Sequence, residues 1–274
     1  MNLIKRVVEI VIYGISTIIL LYILWLVVRV FLFDYFTIPT SSMTPTIQPG
    51  NKVIVNKMIF GPRIYTDFHF KQTGYELQSI RMKGIRKIKH NDIVVFNFPI
   101  HKDEISFRIN HVFCKRVVGL PGDTLSAVNG YIHNNNYSGV LGIKERQEQL
   151  KSKSEKVLKD YKVYNVAPRH TSEIQWNIQN WGPLYIPRKD DLIPITPKET
   201  ILYKKILEWE TGSKIRCDWK ENEVYANGKP LKRHRFKHNY YHICGDYSLD
   251  SFDSRYWGFV PEEYIVGVVS YIIK

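Results

Sequence analysis

The side chains best placed to do chemistry are a pair of hydroxyls and a distant amine. The stretch FTIPTSSMTPTIQPG (36–50) carries Ser41 and Ser42, preceded by Thr40, with no charge among them. Pro39 and Pro45 restrict the backbone on either side, so a hydroxyl is held still here. A serine attacks a carbonyl only when a base lies within hydrogen-bond reach. The nine histidines fall in loops such as HNNN and KRHRFKHNYYH, at no spacing that marks a serine partner. A lysine serves instead if burial among apolar groups brings its pKa down from about 10.4 towards neutrality. Lys115 in HVFCKRVVGLPGD is such a residue, with Val112, Phe113 and Cys114 before it and Val117 and Val118 after. In a strand Lys115 and Arg116 point to opposite faces, so one can be buried while the other is solvated. Taken alone, a lysine in a strand is more often a snorkelling or edge residue. A third stretch, GDYSLDSFDSRYWGFVP (245–261), puts Asp253 and Arg255 on one face of an expected strand, suited to a structural ion pair. Ser251 joins them if that strand extends far enough.

These groups must be positioned by the rest of the chain. Its 274 residues are 44% hydrophobic and 14% aromatic, enough for a sizeable core, which excludes a disordered chain. Before the serines runs IVIYGISTIILLYILWLVV, Ile10 to Val28, without a charge. At ~1.5 Å per residue it reaches roughly 28 Å, the hydrocarbon thickness of a bilayer. A cleaved leader needs a shorter apolar core and small residues at the cut, whereas RVFLFD follows here. The expectation is an uncleaved anchor over 1–35. Lys5 and Arg6 before the span, against Arg29 after it, favour a cytoplasmic N-terminus. The net charge of +13 calls for an anionic partner, a membrane surface or nucleic acid. The one dense basic cluster, KPLKRHRFKH (229–238), reads as a solvated hairpin face or a lipid head-group contact, and no nucleic-acid partner is expected. Cys114, Cys217 and Cys244 give no disulfide framework and no metal pair, though one bridge is open to them. With no metal or nucleotide motif, no cofactor is expected.

The remainder alternates short apolar runs with turn signals. NKVIVNKMIF (51–60), DIVVFNFP (92–99) and KRVVGLPGD (115–123) read as strands, and EEYIVGVVSYII (262–273) as another. LSAVNGYIHN (125–134) and NEVYANGKPL (222–231) carry Asn-Gly between strand-like arms, a strong hairpin signal. The fold class expected is mainly β and antiparallel, behind a transmembrane helix. Two stretches break the pattern. The charged 142–161 segment suits a surface helix. TPKETILYKKILEWETG (196–212) has a capping box of Thr196 and Glu199, Pro197 in the first turn and Gly212 at the end. Its apolar face would be Ile201, Leu202, Ile206 and Trp209. Both lie in 138–235, read as an inserted second lobe with helices and a hairpin, between two parts of a β domain, 36–137 and 236–274.

Three blocks in order, IPTSSMTPTI, KRVVGLPGD and GDYSLDSFDSRYWGFVPEEYIVG, together resemble the bacterial type I signal peptidases. DIVVFNFP matches a fourth segment of that family, and the blocks cover about fifty residues between 38 and 267. The resemblance implies a membrane-anchored serine endopeptidase that removes signal peptides from exported preproteins with a Ser/Lys dyad. It makes Ser42, before Met43, the nucleophile and Lys115 the general base. Thr40 stands where a hydroxyl supports the oxyanion hole. Ser251 matches a serine that orients the lysine, and Asp253 and Arg255 a structural ion pair. Ile38, Phe113 and Cys114 fall where the family lines its substrate pockets. The implied partners are signal peptides, the lipid bilayer and, transiently, the secretion machinery. The implied location is the bacterial inner membrane, with the catalytic domain on the periplasmic side. The chain departs from the family pattern at GDYSLDS, usually GDNRDNS, and at Ser41, often glycine. A specialised or inactive membrane-tethered adaptor is the alternative, opposed by the presence of both Ser42 and Lys115.

Overall fold

The computed structural model describes residues 2–67, 69, 78–168 and 172–274. Its first element is the α-helix Asn2–Val27, which continues as a π turn, Val28–Leu32. Together they give one helix, Leu3–Leu32, long and apolar enough to cross a membrane, with mean hydropathy 2.5 and none of it buried against the body. The end of this helix is stitched to the body by charge. Asp34 accepts from Arg29 at 3.1 Å and from Lys57 at 3.2 Å, and the Lys57 ammonium also donates to the Arg29 carbonyl at 2.7 Å.

The body is mainly β. Among the described residues the largest sheet has seven strands, in the order Phe33–Thr37, Lys52–Asn56, Ile265–Ile273, Ile93–Asn97, Val112–Gly119, Tyr240–Cys244 and Val260–Pro261. Every neighbouring pair is antiparallel. Strand Ile93–Asn97 lies between two neighbours and is buried on both faces, which is why IVVF is continuous rather than alternating. Val94 and Phe96 enter the large hydrophobic cluster; Val95 enters a smaller one with Ile38, Met43, Ile47, Val53, Val55 and Cys114.

Both Asn-Gly turns form hairpins. Asn129 and Gly130 have φ of 50° and 84°, and Asn227 and Gly228 have 48° and 79°, the paired positive values a tight two-residue turn demands. The hairpin of Thr124–Val128 and Tyr131–Asn134 is completed by Trp181–Tyr185 from the 138–235 segment. Leu150, Leu158, Tyr203 and Ile206 of that segment share the large cluster with Val94, Phe96 and Val117.

Several expectations need correction. The 142–161 stretch is two helices, Lys144–Lys151 and Glu155–Asp160, interrupted at the Ser-Lys-Ser of 152–154, where serines favour turns and helix starts over helix interiors. Neither is wholly a surface helix: Gln147, Leu150 and Leu158 are buried, and Gln147 is satisfied by the Leu141 carbonyl and the Ile132 N–H. The helix expected over 196–212 forms as Pro197–Thr211, with its capping box, and ends at Gly212 with φ 62°. Its buried stripe, however, is Thr200, Tyr203, Ile206, Leu207 and Glu210, which shares only Ile206 with the expected face; Leu202 and Trp209 pack against the core half-buried and Ile201 is not in it. A glutamate can face inward because His234, Tyr240 and the Lys237 N–H bond it at 2.6, 2.6 and 2.9 Å. The same contacts draw the basic 229–238 cluster partly inside, with His234 and Phe236 buried, so it is not simply a solvated face. The three cysteines are free.

The Thr196 cap offers a clean check on the Pro197–Thr211 helix. Thr196→Ala removes the side-chain acceptor for Lys198 N–H and half of the reciprocal box. Urea denaturation should show a loss of about 1 kcal/mol.

Candidate active site

The pairing of strand Val112–Gly119 creates the site. On one side Ile93–Asn97 pairs with its first five residues, with Val94 opposite Lys115 and Val95 opposite Cys114. On the other side Tyr240–Cys244 accompanies it only as far as Cys244 opposite Arg116. Lys115 is thus the first residue beyond the end of that pairing, and the Ser42 turn comes in beside it. Residues 38–51 form a closed loop: Ile38 N–H donates to the Asn51 carbonyl at 2.9 Å and Gly50 N–H to the Ile38 carbonyl at 2.8 Å. Met43 and Ile47, both fully buried, root this loop in the smaller cluster. Within it, Thr44 N–H donates to the Ser41 carbonyl and Ile47 N–H to the Met43 carbonyl, each at 2.9 Å. The Thr44–Pro45 bond is cis.

The Lys115 Nζ lies 2.5 Å from the Ser42 Oγ, across 73 positions of sequence. Each residue is only 5% exposed. Burial pushes the Lys115 amine below its ordinary 10.5; Asp253 pulls it back up, and Arg255 works against Asp253. The Lys115 Nζ also reaches the Cys114 carbonyl at 3.2 Å. His242, two residues before Cys244, offers no rival base: burial pushes it down to about 4, and it is stacked on Trp181. Ser41 and Ser42 are told apart here. The Ser41 hydroxyl donates to the Asp250 carboxylate, while Ser42 faces the amine.

Below the pair sits Asp253, with no exposed surface. Arg255 donates to it from Nε at 2.8 Å and from an Nη at 2.5 Å, Gly245 N–H at 2.9 Å and the Ser251 hydroxyl at 2.7 Å. Burial alone would raise the Asp253 pKa; the Arg255 charge and these donors hold it below its usual range. The expected shared strand face is not what unites Asp253 and Arg255. Asp253 caps the short helix Ser254–Trp257, and Arg255 folds back from its first turn. Aspartate favours the N-cap position, where its carboxylate accepts a backbone N–H, here that of Arg255. Ser251 precedes the helix in extended conformation and is tied to Asp253.

The other sequence candidates divide. Thr40 is at the surface, its hydroxyl 3.4 Å from Ser42 Oγ. Ile38 and Cys114 are buried together in the smaller cluster. Phe113 lies on the other face of its strand, stacked on Phe98 at 4.6 Å with its ring 5.7 Å from the Lys115 Nζ. Arg116, expected to be solvated if Lys115 was buried, is instead clamped to Asp246 by two 2.7 Å bonds. Thr46 donates to the same carboxylate at 2.5 Å, so this pair pins the serine loop to the strand. Tyr247 and Asp250, also bonded to the serine loop, were legible only as departures from a pattern. Their one signal was proximity in sequence to Asp246 and Ser251.

The sequence matches the family described as signal peptidase, peptidase S26, over residues 11–274. The chain belongs to that family. The signal peptidase I of Buchnera aphidicola from Acyrthosiphon pisum is 29% identical over 88% of this chain and 68% of its own length. That of Pseudomonas aeruginosa is 28% identical over 67% of each chain. A solved signal peptidase I from Enterococcus faecalis V583 is 16% identical and aligns with 68% of this chain and all of its own, at a TM-score of 0.32. The protein is accordingly a hydrolase of the signal-peptidase type.

Two expectations follow from the geometry. A Cβ on Gly245 would lie 2.1 Å from Ser251 Oγ and 2.6 Å from the Ser42 carbonyl oxygen. Gly245→Ala must therefore displace the serine turn, and kcat for peptide hydrolysis should fall about a hundredfold. For Lys115 the folded pKa lies below 10.5, so the folded state resists carrying its proton. The resulting cost to stability is absent above 10.5, grows as pH falls towards the folded pKa and is full below it. Lys115→Met should be inactive yet melt at a higher temperature than wild type at neutral pH, the gap closing as pH rises.

Proposed function

We propose that Ser42 and Lys115 form a Ser/Lys dyad with which this hydrolase, tethered to the membrane by Leu3–Leu32, removes N-terminal signal peptides from exported preproteins. The observation that carries the reading is the 2.5 Å contact between a buried amine of lowered pKa and a buried hydroxyl. Ser42 Oγ attacks the scissile carbonyl while neutral Lys115 takes its proton. Among the described residues no hydrogen bond occupies the Ser42 N–H. That N–H and the Thr40 hydroxyl are therefore the donors assigned to the developing oxyanion. As the tetrahedral centre collapses, the Lys115 ammonium protonates the leaving amine, which departs as the new N-terminus of the mature protein. Water then attacks the Ser42 ester while Lys115 takes its proton, and Lys115 returns that proton to Ser42 Oγ as the C–O bond breaks and the carboxylate of the signal peptide is released. Ser251 and the Asp253–Arg255 pair hold the floor beneath the lysine. Ile38, Cys114 and Phe113 are assigned to recognition of the residues before the cut.

The tether explains the placement. Phe33–Thr37 leaves the helix and pairs directly with Lys52–Asn56, so Ser42 sits in the loop between the first two strands after the span. A substrate that is itself inserted in the bilayer presents its cleavage site at that level. In the proposed orientation the N-terminus is cytoplasmic and the body lies on the outer side of the inner membrane.

The test is processing of a preprotein in detergent or vesicles by wild type, Ser42→Ala and Lys115→Ala. Both variants should lose cleavage by on the order of 10⁴-fold while keeping the wild-type circular dichroism. Wild-type kcat should rise with pH through the depressed pKa of Lys115. Processing by either variant at the wild-type rate removes that residue from the mechanism.

A further inference from the structure

The departure of this chain from its family's GDNRDNS pattern forms a clamp on the nucleophile. The turn Ser248–Asp250 lies against the serine loop, with Leu249 buried beneath it. Tyr247 N–H donates to the Ser42 carbonyl at 3.0 Å, and the Ser41 hydroxyl donates to the Asp250 carboxylate. The turn is closed by Asp250 N–H on the Tyr247 carbonyl at 3.0 Å, so both contacts come from one rigid unit. Helix Lys144–Lys151 backs it: the Arg146 guanidinium lies 4.4 Å from the centre of the Tyr247 ring and is itself held by Gln149 at 2.8 Å.

The contacts flank one peptide unit, the one joining Ser41 to Ser42. Its carbonyl is held by Thr44 N–H, the side chain before it by Asp250 and the carbonyl after it by Tyr247. The atom left without a partner, among the described residues, is the Ser42 N–H. An N–H that is to stabilise an oxyanion is effective only when its direction is fixed before charge develops. A hydroxyl-to-carboxylate bond is charge-assisted and among the stronger ones available for that purpose.

We propose that Asp250 is a positioning residue for catalysis: acting through the Ser41 hydroxyl, it fixes the rotation of the Ser41–Ser42 peptide and so aims the Ser42 N–H at the scissile carbonyl oxygen. The proposal rests on the Ser42/Lys115 reading above. Asp250 acts here as an acceptor. Its negative charge makes no helpful contribution, since a carboxylate near a developing oxyanion is repulsive. An asparagine, which keeps an acceptor oxygen in the same place, therefore substitutes for it.

The experiment measures kcat and KM for preprotein cleavage by wild type, Ser42→Ala, Asp250→Ala, Asp250→Asn, Ser41→Ala and the double variant Ser41→Ala/Asp250→Ala. Values are taken per folded molecule, with thermal melting followed for each. Asp250→Ala should lower kcat about tenfold, ~1.4 kcal/mol on the barrier, with KM nearly unchanged, because the lost interaction matters only in the transition state. Ser41→Ala should match it, the double variant should be no worse than either single one, and Asp250→Asn should restore most of kcat. Wild-type kcat in Asp250→Ala overturns the proposal. So does a double variant whose loss is the product of the two single losses, or an Asp250→Asn as impaired as Asp250→Ala. Cleavage by Ser42→Ala at the wild-type rate would instead overturn the dyad, a separate outcome.

Discussion

An amine kept out of water beside a hydroxyl is the interaction on which the arrangement depends. A solvated Lys115 would carry its proton at neutral pH and could accept none. Burial disfavours the ammonium, and the sheet supplies that burial through Val94 opposite, Phe113 alongside and the serine turn closing over the end of the side chain. Electrostatics must then leave the shift intact. An unpaired Asp253 beneath the site would hold the proton on Lys115. Arg255, bound to it through two hydrogen bonds, offsets part of that pull, so the lysine meets a paired and not a bare carboxylate. Removing one partner of such a pair costs roughly 3–5 kcal/mol, because the other is left charged and buried. Asp253 thus ties stability and basicity to one contact.

The second constraint is geometric. The Ser42 hydroxyl comes from a loop near the start of the body and the Lys115 amine from a strand seventy-three residues later. Their register is set by contacts at both ends of the serine loop. Ile38 is closed against Gly50 and Asn51, Met43 and Ile47 are rooted in the smaller core, and Thr46 is linked through Asp246 to Arg116 on the lysine's own strand. Because Arg116 and Lys115 are adjacent, the clamp on one face of the strand locates the loop for the residue on the other. Gly245 is the point of closest approach, where no side chain fits between Ser251 and Ser42.

The N-terminal apolar helix is part of this chain of contacts and not merely a leash. Asp34, held by Arg29 and Lys57, joins the end of the helix to the second strand, and the strand after the helix runs straight into the serine loop. The position of the serine loop relative to the helix end is therefore set by covalent connection and one antiparallel pairing, with no unpaired residue between the helix end and the strand.

Much of this was legible in the residues. The uninterrupted apolar run set the helix, the Asn-Gly dipeptides set two hairpins, and Thr196, Glu199 and Gly212 set both ends of a helix, because each of these signals is local. Ser42 and Lys115 were legible through the resemblance of their blocks to a family, although spacing alone left Ser41 in play. What the sequence could not supply was the set of non-local partners. Glu210 faces the core only because His234 and Tyr240 arrive there, and Arg116 is paired only because Asp246 does. Asp253 is a cap rather than a strand residue because Arg255, Gly245 and Ser251 converge on it. The choice of Ser42 over Ser41 in the structure came from which hydroxyl met the amine and which met Asp250. Local periodicity and turn chemistry fix elements one at a time; the burial of a charge depends on what lies across the fold, and that is decided when the elements pack.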